Sequence, residues 1–173
     1  MKALNVGCNY AANPETPGVN VEWTRLDIDP GVKPDVVHDM RVRLPEELRG
    51  KFDIVWCSHM LEHVGWREVE MVFGHLVEAV APGGKLMVVV PDLQWACKRI
   101  LSGVFDFGVL GVLYGGQVSE PDFHRNGFTP STLKMLAERA GLKVSGLNTS
   151  DFTAIVNGIE YHPHQIYLIA ERP

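Results

Sequence analysis

Short apolar runs that each close on a polar or acidic residue recur through the first half of the chain, separated by stretches of different periodicity. This alternation constrains the fold more than any other feature. Leu4 to Val6, Trp23 to Ile28, Asp35 to Val37, Phe52 to Cys57 and Lys85 to Val90 read as buried strands, the last introduced by the turn Pro82-Gly83-Gly84. Between the last two, residues 67–80 place Val69, Val72, Phe73, Leu76, Val77 and Val80 on one helical stripe, which predicts an amphipathic helix. A second helix is expected after Thr129, with Pro130 at its first position and Gly141 just past its end. Residues 142–147 and 165–170 complete the pattern as two closing strands. Strands alternating with helices predict an α/β protein with a mostly parallel sheet, covered on both faces and joined by right-handed crossovers. In such sheets ligands bind beyond the carboxyl ends of the strands.

A chain of 173 residues has room for one compact domain with a self-sufficient core, so residues 1–173 are read as one unit. The formal charge of -5 and the lack of any basic tract longer than two residues argue against a nucleic-acid partner. Cys8, Cys57 and Cys97 form no regular framework and read as reduced thiols, and the opening MKALNVGCNY resembles no signal peptide. A cytoplasmic protein is expected. The segment 100–119 carries a single charge, Asp106, and is long enough for a membrane span. Its five glycines, and a cost of about 3 kcal/mol for an aspartate in the bilayer, argue against one. It reads instead as a helix pair, an apolar cap over a cleft within about 94–128, or a surface that pairs two chains into a homodimer.

The unusual residues fall just after the strands. Gly7-Cys8-Asn9 follows the first, where a glycine lets backbone amides approach a ligand. Asp27 ends the second and is placed to accept two ribose hydroxyls, the alternative being a turn former before Pro30. Asp39-Met40 ends the third, offering an acceptor for an exocyclic amine and an apolar wall, or a plain turn. After the fourth comes His59-Met60-Leu61-Glu62-His63, which also spells H-x-x-E-H, a zinc-peptidase signature. That motif needs a long helix and a third ligand. Here the string leaves a buried strand, and neither His124 nor His162-Pro163-His164 is demanded by spacing, so no metal is expected. A nicotinamide oxidoreductase would carry the full glycine fingerprint, which the loop with Pro14 and Pro17 lacks. A catalytically silent ligand-binding module stays open.

Taken together and in order, LNVGCN, LDID, VVHDM, FDIVWCSHMLEHV, PGGKLMVVVPD and HRNGFTPSTLKMLAERAGLKV resemble the motifs of the class I S-adenosylmethionine-dependent methyltransferases over nearly the whole chain. Asn9 stands where that family usually has its second glycine. The short first crossover and CSHMLEH look most like small predicted methyltransferases linked to surface-glycan pathways. The resemblance implies a Rossmann-like fold with seven strands, the last antiparallel, and S-adenosylmethionine as cofactor. It implies cofactor contacts from Asn5, Gly7, Cys8, Asn9, Asp27, Ile28, Asp39, Met40, Ser58 and His59, with Asp27 on the ribose and Ile28 against the adenine. His59, placed beside the reacting methyl, is the first candidate for a general base, and His124 the second. Glu62 and His63 are placed to orient either, and Trp95 and Tyr114 either line an acceptor pocket or pack in the core. No Asn/Asp-Pro-Pro-Tyr/Phe string follows strand four, which turns the expectation from nucleic-acid bases to a small-molecule or sugar-type hydroxyl, or an amine.

Overall fold

The computed structural model describes residues 1–173. Five strands run parallel: β1 (Lys2–Val6), β2 (Glu22–Asp27), β3 (Val36–Val37), β4 (Phe52–Ser58) and β5 (Val80–Pro91). Between β4 and β5 lies helix α1 (Val69–Ala79); after β5 come α2 (Leu93–Leu101), α3 (Phe107–Tyr114) and α4 (Pro130–Arg139). The chain closes with β6 (Lys143–Asp151), β7 (Ala154–Val156), β8 (Ile159–Tyr161) and β9 (His164–Glu171). The seven-stranded sheet has the order β3-β2-β1-β4-β5-β9-β6, with β9 antiparallel to both neighbours. This is the Rossmann-like architecture expected, with its antiparallel last strand.

Local chemistry explains the helix boundaries. Thr129 caps α4 in a reciprocal box: its hydroxyl accepts from the Thr132 amide at 3.2 Å, and the Thr132 hydroxyl accepts from the Thr129 amide at 2.9 Å. Asp106 caps α3 by accepting from the Val109 amide and pairs with Arg99 at 3.0 Å. That single charge splits the apolar segment 100–119 between two helices. No helix is long and apolar enough to cross a membrane. On α1, Val69, Val72, Phe73 and Leu76 are buried against the sheet, as their spacing predicts.

Two features differ from the sequence reading. Helices on both faces were expected from the alternation, yet α1 is the only α-helix among the connections of the parallel strands. The others are loops and short 3-10 turns; the first of them, residues 7–21 with Pro14, Pro17 and Gly18, is the short first crossover that was expected. The helices α1 and α4 pack on each other and on the sheet, and α2 pairs with α3. The small hairpin β7-β8 is the second difference. Its turn, Asn157-Gly158, has positive φ at both residues (52° and 76°), the pairing that matches strand twist.

Candidate functional site

The carboxyl ends of β1, β2 and β4 lie side by side, with β1 between the other two. Gly7 leaves β1 at φ +68° and donates its N–H to Leu26 O at 2.9 Å; a side chain here would place its Cβ 2.7 Å from Met60 Cγ. Both the backbone angle and the space therefore require glycine. Asn9 follows at φ 44°, a conformation asparagine tolerates, and its N–H donates to Asp27 Oδ2 at 2.8 Å. Asp27 Oδ1 accepts from the Asp29 N–H at 3.0 Å. The buried Asp27 carboxylate thus ties the first two loops together while each oxygen keeps a lone pair. Arg25, which sequence reasoning missed, donates to Asn9 O at 2.6 Å. Asn5 is buried and donates to Asn13, Cys8 is buried with its thiol pushed up chiefly by that burial, and Ile28 stands 51% exposed beside Asp27.

The third-strand residues are arranged differently from the expectation. Asp39 holds Arg41 through both oxygens, at 2.8–3.0 Å, which lowers its carboxyl below the ordinary range. Met40 lies in the main core rather than lining an open wall, and its carbonyl receives the His75 Nδ1–H at 2.8 Å. An exocyclic amine donating to Asp39 would compete with the Arg41 guanidinium.

Strand β4 ends at Ser58, and His59 turns the chain at φ +50° while its N–H still donates to Val89 O. Such backbone is strained for a non-glycine residue and re-aims the side chain across the sheet end. Its Nδ1 lies 3.1 Å from Glu62 Oε1 and its Nε2 2.9 Å from Gln165 Oε1. Two acceptors on opposite nitrogens suit the protonated ring. Turning the Gln165 amide to present its NH2 suits the neutral one, and the Tyr167 hydroxyl, 2.7 Å away, can partner either orientation. Burial pushes the His59 pKa down most strongly of any single effect, but the hydrogen bond and charge of Glu62, with Gln165, outweigh it and the net shift is upward.

The string H-x-x-E-H does not form a helical face. Only Leu61–His63 turns, as one 3-10 turn, and His59 precedes it in left-handed backbone. His59 and His63 consequently take different partners, contrary to the geometry a zinc peptidase needs. His63 packs edge-on against His124, with ring centroids 4.9 Å apart. The pKa of His124 is lowered, chiefly by burial. Its loop is fastened by Arg125 and Asn126, whose N–H groups both donate to Glu62 O. His162 instead pairs with Glu160 at 3.2 Å, and His164 stacks on Trp95 at 5.5 Å. Trp95 is packed against α3, while Tyr114 is half exposed. Gln165 and Met60 are the other site residues that sequence reasoning missed. Gln165 left a signal, as the one amide in the apolar run of β9; Met60 left none. A surface hollow of about 430 Å³ lined by Lys2, Glu22 and Lys51 lies at the amino ends of the strands, the wrong side for this chemistry.

Residues 6–146 match the family model described as a methyltransferase domain. No curated protein matches the chain. Among solved structures, a SAM-dependent methyltransferase of Methanosarcina mazei is 14% identical with a TM-score of 0.68, over 99% of this chain and 92% of that one. Another from Archaeoglobus fulgidus is 14% identical with a TM-score of 0.62, over 99% and 86%. The N-methyltransferase NodS of Bradyrhizobium japonicum, solved in complex with S-adenosyl-L-homocysteine, is 14% identical with a TM-score of 0.61, over 99% and 78%. At these identities the structural likeness speaks to the fold.

Proposed function

The chain belongs to the methyltransferase-domain family, and from that premise we propose that it moves the methyl group of S-adenosylmethionine to a hydroxyl of a small-molecule or sugar-type acceptor, with His59 as general base. The observation that carries this reading is the His59–Glu62 pair at the end of β4: a ring re-aimed by left-handed backbone and held by a carboxylate that is 1% exposed.

The residues fit the cofactor in part. The free lone pairs of buried Asp27 suit a ribose diol, exposed Ile28 suits a purine face, and the Gly7 turn keeps backbone at the crevice. Asn5, Cys8, Asn9 and Ser58 complete the candidate wall. S-adenosylmethionine supplies the electrophilic methyl group. The chain has to align the acceptor and exclude water, which is worth about 7–11 kcal/mol, against about 3–5.5 kcal/mol for a placed base. Glu62 holds the His59 Nδ1–H, fixing the tautomer whose Nε2 can take a hydroxyl proton once Gln165 yields, and its charge stabilises the imidazolium that results. The segment 94–128 acts as the cap on the acceptor side. Its two ends are tied to each other by the Leu93 N–H donating to Phe128 O, and it exposes Leu101 and Val118.

Asp27→Ala should weaken S-adenosylhomocysteine binding by about tenfold or more in calorimetry, because two charged hydrogen bonds are lost. Wild-type affinity in the variant would take Asp27 out of the site, and failure of the parent chain to bind would remove the cofactor reading. Cofactor binding without turnover across a panel of hydroxyl acceptors would leave a silent binding module.

A further inference from the structure

Glu62 is a buried carboxylate only half accounted for. Its Oε1 meets His59, but its Oε2 is shielded from solvent and has no hydrogen-bond partner. His63 and His124 stand next to it, and one ligand-capable atom from each of the three lies within 4.8 Å of the others. Both rings are set by backbone carbonyls: His63 Nδ1 lies 3.3 Å from Phe123 O and His124 Nδ1 3.0 Å from Val112 O. A carbonyl only accepts, so each Nδ1 carries the proton and each Nε2 presents a lone pair. Within this three-residue cluster, Glu62 Oε2 and the two Nε2 atoms are therefore the groups left with lone pairs and no proton to donate. A carbonyl or carboxylate behind a histidine is also what fixes metal-binding rings in place.

We propose that Glu62, His63 and His124 bind a divalent transition-metal ion, leaving its remaining position open to water or an oxygen of the acceptor. Two imidazoles and one carboxylate favour zinc, iron(II), cobalt or manganese over magnesium or calcium, which prefer an all-oxygen shell. Bonds of about 2.0–2.2 Å require the three donor atoms to approach to roughly 3.5 Å, a closure of up to about 1.3 Å from their 4.8 Å spread. The ligand set differs from that spelled by H-x-x-E-H, since His59 is turned away to Gln165. The third ligand comes from beyond α3, held in register because the Arg125 and Asn126 amides bond the carbonyl of Glu62 itself. The spacing along the chain gave no reason to expect a metal; the packing of the loop 123–126 against the turn Leu61–His63 supplies one.

Zinc is the probe. Protein purified without a polyhistidine tag and stripped with a chelator should take up one zinc per chain in calorimetry with a competing chromophoric chelator. His124→Ala and His63→Ala should each weaken zinc binding by at least about tenfold, the loss expected for even an outer contact of a metal site. Glu62→Gln keeps the side-chain shape and should do the same, so a folded variant is available if alanine disturbs the cap. His162→Ala, at an exposed histidine paired with Glu160, should leave zinc affinity unchanged. Absence of stoichiometric zinc, or zinc affinity indifferent to the first three substitutions, overturns the proposal; so does equal loss on His162→Ala. The readout is metal occupancy, so the outcome stands apart from whether the acceptor is a hydroxyl.

Discussion

His59→Asn should lower the methyl-transfer rate by about 10²-fold or more while leaving S-adenosylhomocysteine affinity within about twofold. Asparagine roughly keeps the shape and can still donate to Glu62, and it tolerates the positive φ of this position better than most residues. What it removes is the basic nitrogen. The pH profile supplies a second readout. A base works only when neutral, and the Glu62 and Gln165 contacts raise the His59 pKa above the ordinary 6.5. The rate of the parent protein should therefore fall as the pH drops through a value above 6.5, and this acidic limb should flatten in the variant. Retention of most activity with the same limb would sink His59 as the base.

Phe73→Ala should cost about 3–5 kcal/mol of folding stability, the largest structural effect expected in the chain. Phe73 is fully buried on α1, the one α-helix connecting parallel strands, and it lies within the same core cluster as Leu4, Val55 and Leu86 of the sheet. No second helical crossover in that half of the sheet stands ready to share the load. The melting temperature should fall by roughly 6–20 °C at this chain length. Met71→Ala, two positions away on the 46% exposed side, should change stability by less than about 0.5 kcal/mol. Urea titration distinguishes the two by midpoint at constant slope. A cost below about 1 kcal/mol for Phe73→Ala would mean that α1 is not anchored by its apolar stripe.

Much of the fold was legible because its signals are local. The stripe Val69-Val72-Phe73-Leu76, the Thr129-Pro130 helix start and the short apolar runs each report a period or a cap that a few neighbouring residues define. The hairpin β7-β8 carried an equally local signal in Asn157-Gly158 that the reading passed over. The expectation of helices on both faces leaned on the average behaviour of alternating folds, whereas the short, proline-broken stretch 7–21 had already marked the first crossover as lacking room for one.

The site divides along the same line. Glycine at position 7 and carboxylate at position 27 were visible from sequence because strand ends are local features, and the fold joins their loops through the Asn9–Asp27 hydrogen bond. The engagement of Asp39 by Arg41 and the burial of Met40 were not visible, since each depends on where a side chain turns after the strand has ended. The sequence by itself determined the short apolar strands and the residue types that stand at their carboxyl ends. Only the tertiary structure decided that His59 faces Gln165, 106 positions away, and that His124 meets His63 and Glu62. The physical reason is that periodicity and capping act over one or two turns of chain. The partner of a buried imidazole or carboxylate is instead chosen by which distant backbone and side-chain groups packing brings within about 3 Å.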